Sequence, residues 1–172
     1  MRRAIAGFAL LALGAGASSA ASSWRLSPYG LGPLEVGMTA DQAARTLGLR
    51  RAPPRGVGGD ESCWEFQAGP HFPGLWMMVQ HGRVVRVSMG KGGNFRTERG
   101  IAVGDREQRV RAAYGAGLRA QPNAYASPPA HYLTWVVPDR SYAIKFSTDA
   151  RGTVTEIDAG RPGPVAAPEG CQ

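Results

Sequence analysis

"PLEVGMTADQAARTLG", residues 33–48, and "GIAVGDREQRVRAAYG", residues 100–115, decide the fold, because they read as one unit written twice. Laid so that Gly37 meets Gly104, Leu34 faces Ile101, Val36 faces Val103, Ala43 faces Val110, Leu47 faces Tyr114 and Gly48 faces Gly115. The roles agree more closely than the letters. Thr39-x-x-Gln42 is a capping box, whose side chains satisfy the first free N–H groups of a helix, and Asp105-x-x-Gln108 is its counterpart one residue out of register. Each opens a short helix with a narrow apolar stripe, Ala40, Ala43, Ala44 and Leu47 in the first and Val110, Ala113 and Tyr114 in the second. Gly48 and Gly115 suit the left-handed residue that ends a helix.

Beyond each helix the chain supplies strand-like runs in the same order. "SCWEF", "LWMMVQ" and "RVVRVSM" follow the first, and "YLTWVV", "SYAIKF" and "TVTEIDA" follow the second. The last two runs of each set are joined by "QHGR" and "TDARG", turn sequences of the hairpin kind. The expected fold class is therefore α+β: two tandem units, residues 21–98 and 99–160, each a helix followed by an antiparallel meander. A Pro/Gly-rich tail, residues 161–172, follows them.

Strand alternation assigns the faces. Trp64, Phe66, Leu75, Met77, Val79, Val85, Val87 and Met89 in the first half match Leu133, Trp135, Tyr142, Ile144, Phe146, Thr155, Ile157 and Ala159 in the second, and are expected to pack against both helices. The other face carries Trp76, Met78, Gln80, Val84, Arg86, Ser88, Tyr132, Thr134, Val136, Lys145, Glu156 and Asp158. Trp, Met, Tyr and Arg are the residue types that anchor protein interfaces. That face is either open to a partner or covered by the tail or a loop.

The N-terminus reads as an address. "MRR", the apolar "AIAGFALLALGAGA" and the small-residue zone "SSAASS" make residues 1–20 a signal peptide, cut after Ala20. The apolar run is too short to span ~30 Å of hydrocarbon, and nothing later is apolar enough to do so. The expected product is soluble and periplasmic or secreted, with no membrane span after cleavage. Losing Arg2 and Arg3 lowers the formal charge from +7. The remaining basicity is Arg spread along the chain, with one cluster at "LRRAPPR", residues 49–55, and export argues against a nucleic-acid partner. The two cysteines, Cys63 and Cys171, are expected to pair in an oxidising compartment and pin the tail to the first half. Closing a loop of roughly a hundred residues is worth about 4–5 kcal/mol on the chain-entropy model.

Catalytic patterns are missing. There is no HExxH, GxSxG or phosphate-binding loop, and "GVGGDES" and "GKGGN" lack the Lys-Ser/Thr that a phosphate cradle requires. His71, His81 and His131 are isolated, and no metal set or cofactor is expected. "AGPHFPG", residues 68–74, reads either as a packed loop or as a semi-rigid binding tip. "QPNAYASPPAHY", residues 121–132, is rich in Pro, Asn and aromatic residues. It either extends an interface through Tyr125, His131 and Tyr132 or tucks onto the core.

The paired motifs Val36-Gly37-Met38-Thr39 and Val103-Gly104-Asp105, each with its closing Gly, resemble those of the β-lactamase inhibitory protein family. They are also similar to the outer-membrane assembly lipoproteins of the SmpA/OmlA type, which carry one such unit. The resemblance covers most of residues 31–160. It implies one continuous curved antiparallel sheet, with the helices on one face and partner binding on the concave face. Two departures stand out: the inhibitor has a disulfide within each repeat, and the assembly lipoproteins have a lipidated Cys that is missing here. The expected function is a non-catalytic, exported protein-binding module, inhibitor-like or an envelope-assembly factor. The alternative is a binder of carbohydrate or envelope polymer, including acidic glycans. The candidate partner-binding residues are Trp76, Met78, Arg86, Tyr125, His131, Tyr132 and Lys145.

Overall fold

The computed structural model describes residues 23–52 and 62–171. The signal-peptide reading of residues 1–20, most of the Gly-rich stretch 56–62 and part of the basic loop 49–55 lie outside the described residues. Three short strands, β1 (Arg25–Ser27), β2 (Gly30–Leu31) and β3 (Leu34–Glu35), precede helix α1 (Ala40–Thr46). Then come β4 (Cys63–Gln67), β5 (Leu75–Gln80), β6 (Arg83–Met89) and β7 (Arg96–Thr97). Helix α2 (Glu107–Tyr114) leads to β8 (Arg119–Pro122), β9 (His131–Val136), β10 (Ala143–Thr148) and β11 (Val154–Gly160), and the short helix α3 (Pro162–Ala166) follows. The result is a mixed α+β fold dominated by antiparallel sheet. The 7-stranded main sheet runs β4-β5-β6-β11-β10-β9-β8, and a 4-stranded sheet runs β3-β2-β1-β7. Only the β1–β7 pair is parallel among the described strands.

The capping box forms as the sequence predicts. Gln42 N–H donates to Thr39 Oγ1, and Thr39 N–H donates to Gln42 Oε1. Its expected counterpart does not form. Arg106 occupies the N-cap of α2 without a side-chain bond. Asp105 instead accepts from Ala102 N–H and lies within ion-pair distance of Arg96 and Arg109. Gly48 and Gly115 take positive φ at the two helix ends, as expected.

The backbone around the two "VG" motifs is wired alike. Gly37 N–H donates to Val84 O (2.7 Å), Val84 N–H to Met38 O (2.8 Å) and Ala40 N–H to Gly82 O (3.1 Å). In the other half Gly104 N–H donates to Val154 O, Val154 N–H to Asp105 O and Glu107 N–H to Gly152 O, each at 2.8 Å. The same exchange explains a departure from the expected faces. A bulge opposite Val79 puts Val84 rather than Val85 into the core, and one opposite Thr148 does the same for Val154 rather than Thr155. An extra residue in a strand inverts alternation beyond it. Each bulge turns a valine inward at the point where its backbone binds the turn before the helix.

The core joins Ala43 of α1, Leu47 just beyond it, and Val110 and Tyr114 of α2 to Leu75, Met77, Val79, Ile144, Phe146 and Ile157 of the main sheet. Leu26, Leu31 and Leu34 of the small sheet close it, a layer that alternation did not reveal because the strands are 2–3 residues long. Trp24, Phe72 and Phe95 stack with centroids 5.3–6.3 Å apart, so the 68–74 loop is packed through Phe72 while His71 stays exposed. Tyr142, expected in the core, lies outside β10, where Tyr29 packs against it edge-on.

Cys63 and Cys171 are bonded, with Cα atoms 5.5 Å apart. The tail crosses the non-core face as α3, so helices do not lie on one face only. Among the described residues no helix is long and apolar enough to cross a membrane.

Candidate functional site

Pairing register builds the non-core face row by row. Thr134, Lys145, Asp158, Ser88 and Trp76 are successive cross-strand neighbours, and Tyr132, Ser147 and Glu156 form the next row. Under the tail the first row and the adjacent row Glu65–Met78–Arg86 together form a charge network. Arg86 donates to Glu65 Oε1 (2.7 Å) and to the backbone carbonyls of Pro164 (2.8 Å) and Ala167 (2.9 Å). Ser88 Oγ donates to Asp158 Oδ1 at 2.6 Å. Lys145 Nζ lies 3.1 Å from Asp158 Oδ2 and 5.3 Å from the centroid of the Tyr132 ring. The lysine contact has ion-pair distance without hydrogen-bond alignment, which leaves Asp158 Oδ2 without a hydrogen-bond partner, and Arg86 Nε, 3.6 Å from Asp158 Oδ1, has none either. Two cations face two carboxylates here, and buried charges persist only when paired in this way.

Burial separates three of the expected partner contacts from the open surface. Met78 and Arg86, 1% and 4% exposed, lie under the tail at the centre of the face, and Lys145, 4% exposed, is reached only through the cavity described below. Arg86 holds that cover in place through its two carbonyl bonds. Trp76 is half-buried, with its indole against Gly90, and lies in the row on the far side of Ser88 from Lys145. His131 projects away from this face: its Nδ1 sits 3.0 Å from Glu107 of α2. The seven candidates therefore do not form one patch.

Three of them do converge. Tyr125, Tyr132 and Lys145, with Asn123, Glu156 and Pro168, line a cavity of about 340 Å³ between the tail and the 121–132 link. Tyr125 is 62% exposed, and its hydroxyl contacts Glu169, tying the link to the tail. Asn123 is fixed by its bond to Thr148 O and its acceptance from Tyr125 N–H. Burial, and after it the neighbouring Asp158 carboxylate, push Glu156 up to about 7, against a partial pull from Lys145 and Arg86. Burial and the same two carboxyls raise the Tyr132 phenol. The cavity thus presents one ammonium, two carboxyl residues, of which Glu156 titrates near neutrality and Asp149 is bonded to its own turn, and hydroxyl and aromatic surfaces.

Sequence reasoning placed Glu156 and Asp158 on this face but did not single them out. The signal was present: Lys145 and Asp158 are opposite charges at cross-strand positions of a hairpin. Among the described residues no group of three or more His, Cys, Asp or Glu is placed to hold a metal ion. No family model matches the chain, and neither curated proteins nor solved structures yield a match.

Proposed function

We propose that this chain is an exported, non-catalytic binding module that takes a hydroxyl-rich ligand of the carbohydrate or envelope-polymer class. The site is the cavity between the tail and the 121–132 link. The observation that carries this reading is the convergence of Tyr125, Tyr132, Lys145 and Glu156 on one polar pocket of about 340 Å³. Aromatic faces give sugars a stacking surface, and a few fixed polar groups set orientation. The paired hydrogen-bond sets at Gly37 and Gly104 support descent from a duplicated helix-plus-meander unit. The disulfide fits an oxidising compartment such as a periplasm.

A protein partner is the second reading, and β8 favours it. All four of its residues are exposed on an edge strand, which can accept an added strand. Tyr29 and Tyr125 are the large hydrophobic residues exposed among those described, which is sparse for an anchored protein interface.

Retention on insoluble envelope polymer, together with an oligosaccharide array, tests the proposal against Tyr125→Ala/Tyr132→Ala. Retention that the double variant loses while its melting profile is kept supports the ligand reading. Failure to bind any glycan, with stoichiometric capture of one protein from an envelope extract, replaces it with the protein-docking reading.

A further inference from the structure

On the opposite side of the β10–β11 turn lies a cavity of about 510 Å³, lined by Arg106, Arg111, Arg151, His131, Glu107 and Pro129 among others. Three guanidiniums and an imidazole share it with one carboxylate. Glu107 is already committed: Arg111 Nε and Nη2 donate to its Oε1 at 2.8 and 2.6 Å, and His131 Nδ1 lies 3.0 Å from its Oε2. Burial works against the charge on Glu107, but the bonds from Arg111 and His131 outweigh it and hold the carboxyl below its usual range. Arg106 uses one N–H on Arg151 O at 2.6 Å. Neither Arg106 nor Arg151 has a carboxylate within ion-pair distance among the described residues. Asp149, next along the turn, accepts from the backbone N–H groups of Arg151 and Thr153 and also feels the Arg151 charge, though outside ion-pair distance.

The fold does not require these charges. By the matching backbone bonds, Thr39, Ala40 and Ala44 stand in the first half where Arg106, Glu107 and Arg111 stand in the second. The first half makes the same turn and helix with small uncharged side chains at these three positions, and its own turn arginine, Arg83, stands across the bridge from Thr39 and is spent on Gly37 O. Guanidiniums that converge without structural need, and outnumber their carboxylate, are a means of recognising an anion. One planar carboxylate is satisfied by a single fork, as Glu107 is by Arg111. Donors arriving separately from Arg106 and Arg151 instead suit a group with three or four oxygens.

We infer that this cavity binds a tetrahedral oxyanion, phosphate or sulfate, with Arg106 and Arg151 as its primary donors and Glu107 as the internal anion it competes with. Calorimetric titration of the whole protein with inorganic phosphate, and separately with sodium sulfate, tests this against potassium chloride at equal ionic strength. Saturable binding of either salt is expected, and which of the two binds identifies the oxyanion. Arg106→Ala/Arg151→Ala should weaken it at least about tenfold. Glu107→Gln should tighten it, because Arg111 and His131 are then released to the ligand. Tyr132→Ala should leave it unchanged, which separates this site from the proposed ligand cavity. A response equal to that of chloride, or equal affinity in the double arginine variant, overturns the assignment. If that variant unfolds, the sign of the Glu107→Gln change decides.

Discussion

Glu156 sits where a second negative charge is least tolerated, half-buried beside Asp158 in a network already balanced by Arg86 and Lys145. Its native value of about 7 lies above the ordinary 4.5, so the folded state holds a proton that the unfolded chain has lost. Where the native state binds more protons, stability falls as pH rises. The favourable contribution is thus fully present below about pH 4.5 and is lost as pH rises through about 7. The loss should be on the order of 2 kcal/mol, discounted for the part of the carboxyl that water reaches. Urea titrations across this window should show the decline in the native protein and a flatter profile in Glu156→Gln. A profile unchanged by the substitution would place the titration elsewhere. Asp158 has the opposite character, because Lys145 and Arg86 depend on it. Asp158→Ala should cost about 3–5 kcal/mol by leaving buried cations uncompensated, measured as a shift in denaturation midpoint.

The first helix cap, the hairpins and the six longer strands of the main sheet were legible in the sequence because each has a local cause. Thr39 and Gln42 meet across one helical turn, and His81 and Gly82 both take positive φ in a two-residue hairpin. The bulges were not legible. Val84-Val85 and Val154-Thr155 satisfy a period of two equally well in either register, and the choice is made by distant backbone groups at Gly37 and Gly104. The cavity beside the tail was half legible for the same reason: Tyr132 and Lys145 follow from alternation, whereas Pro168 arrives from the tail. If the two turns are physically equivalent, the same substitution should have the same effect in both. Gly37 and Gly104 have φ of 102° and 91°, and an added Cβ at either would meet nothing within 4 Å. Gly37→Ala and Gly104→Ala should therefore each cost about 1–3 kcal/mol from backbone strain alone. Chemical denaturation of the two single variants reads this directly, and a cost confined to one of them would show that the turns carry different loads.

Across the whole molecule, the tail joins the two halves by two separate means, and they can be told apart. The Cys63–Cys171 bond spans a sequence separation of 108 residues, so it acts mainly on the unfolded chain and is worth about 4–5 kcal/mol. The native tail is held independently, by the Arg86 bonds to Pro164 O and Ala167 O and by Val165, which is 0% exposed. Met78 reports on that docking, because it lies between Glu65 and Arg86 in the row the tail crosses and is 1% exposed. Cys63→Ser/Cys171→Ser should lose the bridge's full contribution in denaturant, yet keep Met78 protected from peroxide under native conditions. Half-buried Met38 serves as the reactive control. Arg86→Leu in the bridged protein should do the converse, removing the carbonyl clamp so that Met78 oxidises faster while the Cys63–Cys171 loop stays closed. Mass spectrometry of the two sulfoxides after a timed exposure measures both. Rapid oxidation of Met78 in the serine variant would mean that the bridge, not Arg86, keeps the centre of the sheet covered. The rim cavity lined by Pro168 would then depend on the redox state of the chain.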